Sequence, residues 1–130
     1  MNEIVELLRN DPYANYLGIV PEEVRRGYAR CSVEVCENHL NYSGFPHGGF
    51  IFSLADVAFS GATASVHIPT TALIVTAHYY GTVKTGSILT AEAKLKSESR
   101  KFSYFDIEVR CEDTLIAAFN GTGYKISQKN

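Results

Sequence analysis

The sequence predicts an α+β fold in which one long buried helix is wrapped by a curled antiparallel sheet of about five to six strands. Two patterns indicate this architecture. Several segments alternate apolar and polar residues with a period of two, as strands with one buried face do. Residues 48–65, in contrast, are apolar nearly all round, which is typical of a helix enclosed by other structure.

The predicted elements follow one another along the whole chain. Residues 3–9 form a short helical stripe that Asn10-Asp11-Pro12 ends, because proline lacks the amide hydrogen that a helix needs. Three segments alternate clearly and two less regularly, and they predict strands at residues 28–36, 88–96, 103–111, 73–80 and 115–126. No repeat or linker interrupts the chain, so residues 1–130 are interpreted as a single domain with its core at 13–126.

Composition narrows the class of protein. The chain has 130 residues, of which 45% are hydrophobic, 12% aromatic and 20% charged, and its net charge is −2. These values are typical of a globular domain rather than a disordered one. The slightly acidic balance argues against a nucleic-acid partner, and no apolar run approaches the ~20 residues that a bilayer span needs. We therefore expect neither nucleic acid nor membrane as a partner.

Cysteine and histidine usage bears on compartment and metals. The odd set of Cys31, Cys36 and Cys111 contains no Cys-x-x-Cys pair and indicates a reducing interior rather than a disulfide framework. The four histidines are too dispersed for a structural zinc site, so no metal is expected. The first residues carry an early acid and no long apolar stretch, which is unlike a signal peptide. A cytoplasmic location follows as an expectation.

Asp56 is the single charge within the apolar segment 48–65. The positions three and four residues away hold no cation: they are Phe52, Ser53, Phe59 and Ser60. A carboxylate among apolar residues is destabilising unless it is paired, hydrogen-bonded or protonated. Such a group either has a structural partner elsewhere in the fold or is kept for its reactivity, and the lack of a partner on its own helix favours reactivity.

Gly48-Gly49 opens the same predicted helix. The first amides of a helix lack internal partners, and glycines let a ligand approach them. Gly48 and Asp56 are eight residues apart, which is about 12 Å along a helix. One substrate carbonyl cannot reach both groups, so joint action requires two chains and an active site at a two-fold interface. The alternative interpretation of the glycine pair is a tight turn into the helix.

The residues around this helix resemble the hotdog-fold acyl-CoA thioesterases of the phenylacetate-pathway (PaaI-like) type. The resemblance covers residues 13–126. It rests on Asn41, on His47-Gly48-Gly49 six residues later and on Asp56 nine residues after His47. Further matches follow at residues 86–91 and 104–109. The resemblance implies the hotdog fold, a thioester hydrolase that needs no cofactor because CoA is part of the substrate, and a homo-oligomer: a dimer at least, with a dimer of dimers expected.

The resemblance also implies roles for individual residues. Asp56 corresponds to the catalytic carboxylate, acting on water as a general base or on the thioester carbon as a nucleophile. Gly48 corresponds to the oxyanion donor, with Gly49 beside it. Asn41 corresponds to a side chain that helps to hold the carbonyl or the water. His47 corresponds to a residue that fixes the loop, although simple packing at the helix entry explains it equally well.

Substrate-binding residues are implied less directly, because this chain departs from the family pattern. Where relatives carry a serine or threonine opposite the acid, the chain has Ala72, and Thr71 and Thr76 are the nearby hydroxyls. The usual run before the next loop is replaced by Tyr79-Tyr80-Gly81-Thr82. The candidates for contacting the CoA phosphates are Lys84, Arg100 and Lys101, and those for an aromatic acyl lining are Phe50, Phe52, Tyr79 and Tyr80.

Three alternative functions differ in how well they fit these residues. A non-catalytic acyl-thioester-binding or ligand-sensing module would use the same pocket and would not need Asp56. A dehydratase of the same fold would need a histidine five residues after the acid, and the first histidine after Asp56 is His67. A purely structural oligomerisation domain would leave the unpartnered Asp56 unexplained.

Overall fold

A computed structural model describes residues 2–127 and shows one antiparallel sheet wrapped around one long helix. The elements are α1 (Asn2–Arg9), α2 (Pro12–Leu17), β1 (Val20–Arg25), β2 (Tyr28–Glu34), α3 (Gly48–Val66), β3 (Thr70–Tyr79), β4 (Ile88–Glu98), β5 (Phe102–Cys111) and β6 (Thr114–Lys125). The strand order is β1-β2-β4-β5-β6-β3, and each neighbouring pair is antiparallel. The predicted architecture is confirmed, with six strands.

Helix α3 is the centre of the core. Leu54, Ala58 and Ala62 on it are fully buried. By length and composition α3 could cross a membrane, but 67% of its apolar window is buried within the fold, as in a core helix. At Gly61, a Cβ atom would lie 2.8 Å from the side chain of Leu8. The small residues of α3 therefore let neighbouring elements approach its axis.

The central strands present one face to α3 and the other to solvent. On β5, Phe105, Ile107 and Val109 are at most 1% exposed, whereas Asp106 between them is exposed. The same alternation on β4 buries its alanines and exposes its lysines. These two strands match their predicted positions to within two residues, because half-buried strands carry the clearest sequence signal.

Strand β3 forms one edge of the sheet and is the least buried strand. It pairs with β6 on one side only. Its large apolar residues remain open to solvent, with Leu73 55% and Ile74 60% exposed. A long apolar edge strand is a template for pairing with another chain. Within the described residues, nothing covers it.

Two elements were missed by the sequence prediction. Strand β1 contains Pro21, which is disfavoured inside a sheet, and it is tolerated because β1 is an edge strand with an irregular register between Pro21 and Glu23. Helix α2 begins directly after α1 ends, at the Asn10-Asp11-Pro12 stop. The side chain of Asp11 accepts hydrogen bonds from the amides of Tyr13 and Ala14 and so caps α2.

Substitution of Gly121 on β6 tests how tightly α3 packs against the sheet. A Cβ atom there would lie 2.8 Å from the buried ring of Phe59. We expect Gly121→Ala to lower the free energy of unfolding by about 1–3 kcal/mol, because the Phe59 ring would have to shift out of its packed position to admit the methyl group. Gly81→Ala is the control, since its Cβ would lie 3.8 Å from Ile116. Chemical denaturation measures both; equal stability of the two variants would contradict the packing argument.

Candidate active site

Asp56 lines a groove of about 520 Å³. The groove lies between α3, the N-terminal helix α1 and the start of β3. Its apolar lining consists of Leu7, Phe59, Ala64, Ile68, Pro69 and Ala72, and its polar lining of Asp56, Ser60, Thr63, Thr70 and Thr71. The volume is within the range of small-molecule sites.

Asp56 has no ionic or hydrogen-bonding partner for its carboxylate among residues 2–127. Among these residues, the one side-chain hydrogen bond to Asp56 comes from the Ser60 hydroxyl and is accepted by the Asp56 backbone carbonyl. Burial raises the pKa of the Asp56 carboxyl, and the negative charge of Asp11 raises it further. A carboxylate with a raised pKa is a better base than an ordinary aspartate.

The hydroxyl groups of the groove differ in their availability. Those of Ser60, Thr63 and Thr70 donate to the backbone carbonyls of Asp56, Ser60 and Tyr124 respectively. Thr71 makes no side-chain hydrogen bond within the described part of the chain. The structure thus places Thr71 in the Asp56 groove as its one uncommitted hydroxyl, next to Ala72. Thr76 lies farther along β3, is exposed, and does not line the groove.

The N-terminus of α3 is organised by His47. As N-cap residue, His47 accepts a hydrogen bond at Nδ1 from the Gly49 amide over 2.8 Å. A Cβ atom on Gly49 would lie 3.0 Å from the same nitrogen, so a larger residue would disturb this cap. The Gly48 amide has no acceptor among the described residues and is free to bind a developing negative charge.

Asn41 shapes the loop that leads to this helix. Its side-chain oxygen accepts from the amides of Ser43 and Phe45, over 2.9 and 3.1 Å. The amide nitrogen of the side chain is therefore the group left for a substrate. His39 also holds this loop, because its backbone carbonyl accepts a hydrogen bond from the His47 amide.

His39 and Tyr79 support the α3 N-terminus in ways that the sequence analysis did not foresee. His39 is buried, and its ring stacks on that of Phe50 with the centroids 3.9 Å apart. Tyr79 donates its hydroxyl hydrogen to the Gly48 carbonyl over 3.1 Å. Their sequence signals were weak, because an isolated histidine or tyrosine does not reveal which backbone group it will meet.

The expected aromatic lining is not found in the Asp56 groove, whose aromatic residue is Phe59. Phe50 is buried under His39, and Phe52 packs edge-on against Phe119. Tyr79 also packs on Phe119, and Tyr80 is exposed beside His78. The sequence offered these rings as a possible acyl lining but could not decide which face of the fold each ring occupies.

The three candidate cations lie at opposite ends of the sheet. Lys84 precedes β4, whereas Arg100 and Lys101 follow it. Strand β4 has 11 residues, which is about 36 Å at ~3.3 Å per residue. The backbone of Lys101 binds Lys125, the pairing partner of Thr70, so this turn lies at the groove end. All three cations are exposed, and none forms an ion pair within residues 2–127.

Within one chain, the predicted site residues form two separate groups. Asn41, His47, Gly48 and Gly49 lie at the N-terminus of α3, whereas Asp56 faces the groove. Because α3 is continuous from Gly48 to Val66, the eight residues between Gly48 and Asp56 span about 12 Å. Among residues 2–127, no three His, Cys, Asp or Glu side chains converge as a metal site would require.

Comparisons with known proteins identify the family to which the chain belongs. Residues 43–118 match the family model of the thioesterase superfamily. The chain is 31% identical to the acyl-coenzyme A thioesterase PaaI of Escherichia coli, over 92% of this chain and 86% of that protein. It is 34% identical to a putative esterase of Archaeoglobus fulgidus, over 94% of this chain and 80% of that protein.

A solved structure shows the same fold. The Escherichia coli PaaI protein from the phenylacetic acid degradation operon superposes with a TM-score of 0.90 at 30% identity. The alignment covers 95% of this chain and 91% of that structure. The chain is therefore a hotdog-fold enzyme of the thioesterase superfamily, of the PaaI-like type that its motifs predicted.

Proposed function

We propose that the protein hydrolyses an acyl-CoA thioester to the free acid and CoA. The observation that carries this proposal is the carboxylate of Asp56, which is partly buried, lacks a partner among the described residues, and faces a groove large enough for a substrate. The similarity to a protein named acyl-coenzyme A thioesterase supports the substrate class. A non-catalytic acyl-thioester-binding or ligand-sensing module is the alternative, and it would have no use for this carboxylate.

The reaction needs a nucleophile and a stabiliser for the oxyanion. As a general base, Asp56 takes a proton from water while the water oxygen attacks the thioester carbon; as a nucleophile, its own oxygen attacks and water releases the acid afterwards. In both cases the carbonyl oxygen becomes negative, and the free Gly48 amide at the α3 N-terminus stabilises it. The carbon–sulfur bond then breaks, and CoA leaves as its thiolate.

We propose that Gly48 and Asp56 of one site belong to different subunits. Two copies joined at the β3 edge as antiparallel strands would place the Tyr79 end of one β3 beside the Thr70 end of the other. The first end carries the α3 N-terminus, through the Tyr79–Gly48 hydrogen bond, and the second borders the groove. This arrangement explains why the two groups are separate within one chain. A dimer of dimers is compatible with it.

The finer substrate contacts are proposed on the same basis. Thr71 orients the water or the thioester at Asp56, replacing the hydroxyl that Ala72 cannot supply. The amide nitrogen of the Asn41 side chain binds the carbonyl or the water. The two ends of β4 are about 36 Å apart, which is farther than one CoA molecule reaches. We therefore expect Arg100 and Lys101 of one subunit to contact CoA either alone or together with Lys84 of the other subunit. The absence of a cofactor, the lack of a membrane or nucleic-acid partner and the cytoplasmic location stay predictions.

Substitution of Asp56 separates the enzyme from the binding module. We expect Asp56→Asn to lower kcat on acyl-CoA thioesters by about 10²–10⁴-fold with little change in KM, because the side chain keeps its shape and loses its basicity. A thiol-release assay over an acyl-CoA panel measures this. Asp113→Asn, in the exposed β5–β6 turn, is the matched control. Equal turnover by Asp56→Asn and wild type would exclude the proposed mechanism.

Mixing two inactive variants tests the shared site. Gly48→Pro removes the amide hydrogen at a first helical position, where proline fits well, and we expect a loss of about 10²–10³-fold in kcat. Gly48→Ala keeps the amide and is the control, since its Cβ would lie 3.7 Å from the Tyr79 ring. Refolding Gly48→Pro together with Asp56→Asn should restore about a quarter of the wild-type activity, because half of the dimers would hold one intact site. No recovery in confirmed mixed dimers would contradict the two-chain site.

The acid limb of the pH profile, where activity falls as the pH decreases, should reflect protonation of the Asp56 carboxylate. Its carboxylate form is the active one, so kcat/KM should fall as the pH drops through the raised pKa of this group. Asp11→Asn removes a negative charge that raises this pKa and keeps a good N-cap residue, so the limb should move to lower pH. Asp113→Asn should leave the limb in place. A limb that does not respond to Asp11→Asn would argue against Asp56 as the titrating group.

A further inference from the structure

The groove extends well beyond Asp56. Asp56, Ser60 and Ala64 are spaced four residues apart on α3 and all line it. Residues at this spacing lie on one helical face, so the groove follows α3 for two turns, or about 12 Å, towards the helix C-terminus. A substrate whose reacting carbon lies at Asp56 therefore has a channel leading away from it in one direction.

The far part of this channel suits an apolar group. Asp56 is the single charged residue in the described lining, and the walls beyond it come from Leu7, Ala64, Ile68 and Pro69. The hydroxyls on that side offer little to a polar ligand, because Ser60, Thr63 and Thr70 already donate to backbone carbonyls. The amides of a pantetheine arm would find few partners there. Among the described residues, no positively charged side chain lines the channel to bind the CoA phosphates, because Arg100 and Lys101 lie in an exposed turn outside its lining. An apolar acyl chain has no hydrogen bonds to water that it would lose on binding there, and its burial is favourable.

Helix α1 supplies one wall of the channel through a single side chain. Ile4 and Leu8 anchor α1 in the core, at 4% and 6% exposure, and Leu8 lies beside Gly61 of α3. Leu7 points elsewhere: it is 61% exposed and lines the groove. An exposed leucine on an otherwise amphipathic helix is not needed for the core, but it would contact a ligand lying between α1 and the start of β3.

We propose that the channel between α1 and β3 binds the acyl group and that Leu7 sets which acyl groups are accepted, by size. This inference rests on the proposed thioester hydrolysis and deepens it by placing the acyl part of the substrate. Leu7 does not touch the reacting atoms, so it acts on selectivity and not on the chemical step. A shorter side chain at this position widens the channel, and a larger one narrows it.

Two variants of opposite size and one matched control test this role. Leu7→Ala should raise kcat/KM for long or bulky acyl-CoA substrates relative to short ones by at least about tenfold, since a methylene or two in an apolar pocket discriminates by this amount. Leu7→Phe should move the ratio in the opposite direction. Leu7→Met conserves volume and should leave the ranking unchanged. The exposure of Leu7 keeps all three variants folded, which thermal unfolding verifies.

The outcomes distinguish this inference from the proposed function. If wild type hydrolyses no member of the acyl-CoA panel, the proposed function fails. If wild type is active and both size variants keep the wild-type ranking, Leu7 does not set selectivity and the inference is overturned. A uniform change of KM for every acyl-CoA would also overturn it, because the pantetheine arm, common to all substrates, would then occupy the channel.

Discussion

The enclosure of α3 by the sheet is the constraint on which the rest of the structure depends. Burial of its apolar surface supplies the main stabilisation that a domain of this size has available. The same enclosure keeps the Asp56 carboxylate away from bulk water and raises its pKa. It also holds the N-terminal amides of α3 in a fixed orientation. In the proposed mechanism, stability and chemical reactivity thus depend on the same helix.

A rigid helix also fixes a distance. Gly48 and Asp56 cannot approach each other within one chain, since about two turns of α3 separate them. Local flexibility of the preceding loop would not help, because His47 caps the helix and Asn41 closes the turn before it. In the proposed dimer, pairing at the exposed β3 edge lets a second copy supply the other group. A small domain can form a two-sided active site in this way.

The sequence predicts the observed structure best for elements that bury one face or all of their surface. The alternating residues of β4 and β5 and the uniformly apolar α3 were located correctly, since the hydrophobic effect acts directly on such patterns. Strand β1 was missed because it contains a proline, which a sheet tolerates at an edge strand or a bulge and which in the local pattern indicates a break. Helix α2 was missed because the same residues mark the end of one helix and the start of the next. Asp11 and Pro12 stop α1, but Asp11 also caps α2 and Pro12 is its first residue.

The candidate site likewise has some features that the sequence predicts and others that it does not. The amino-acid sequence alone determined that Asp56 is the one charge of an apolar helix, that a glycine pair opens this helix, and that the two are too far apart for one carbonyl. These are properties of spacing and residue type. Only the tertiary structure decided which hydroxyl is uncommitted at Asp56, which end of the sheet carries each cation, and that Leu7 of a distant helix lines the groove. Such facts depend on how separate elements pack, and no local pattern in the chain encodes them.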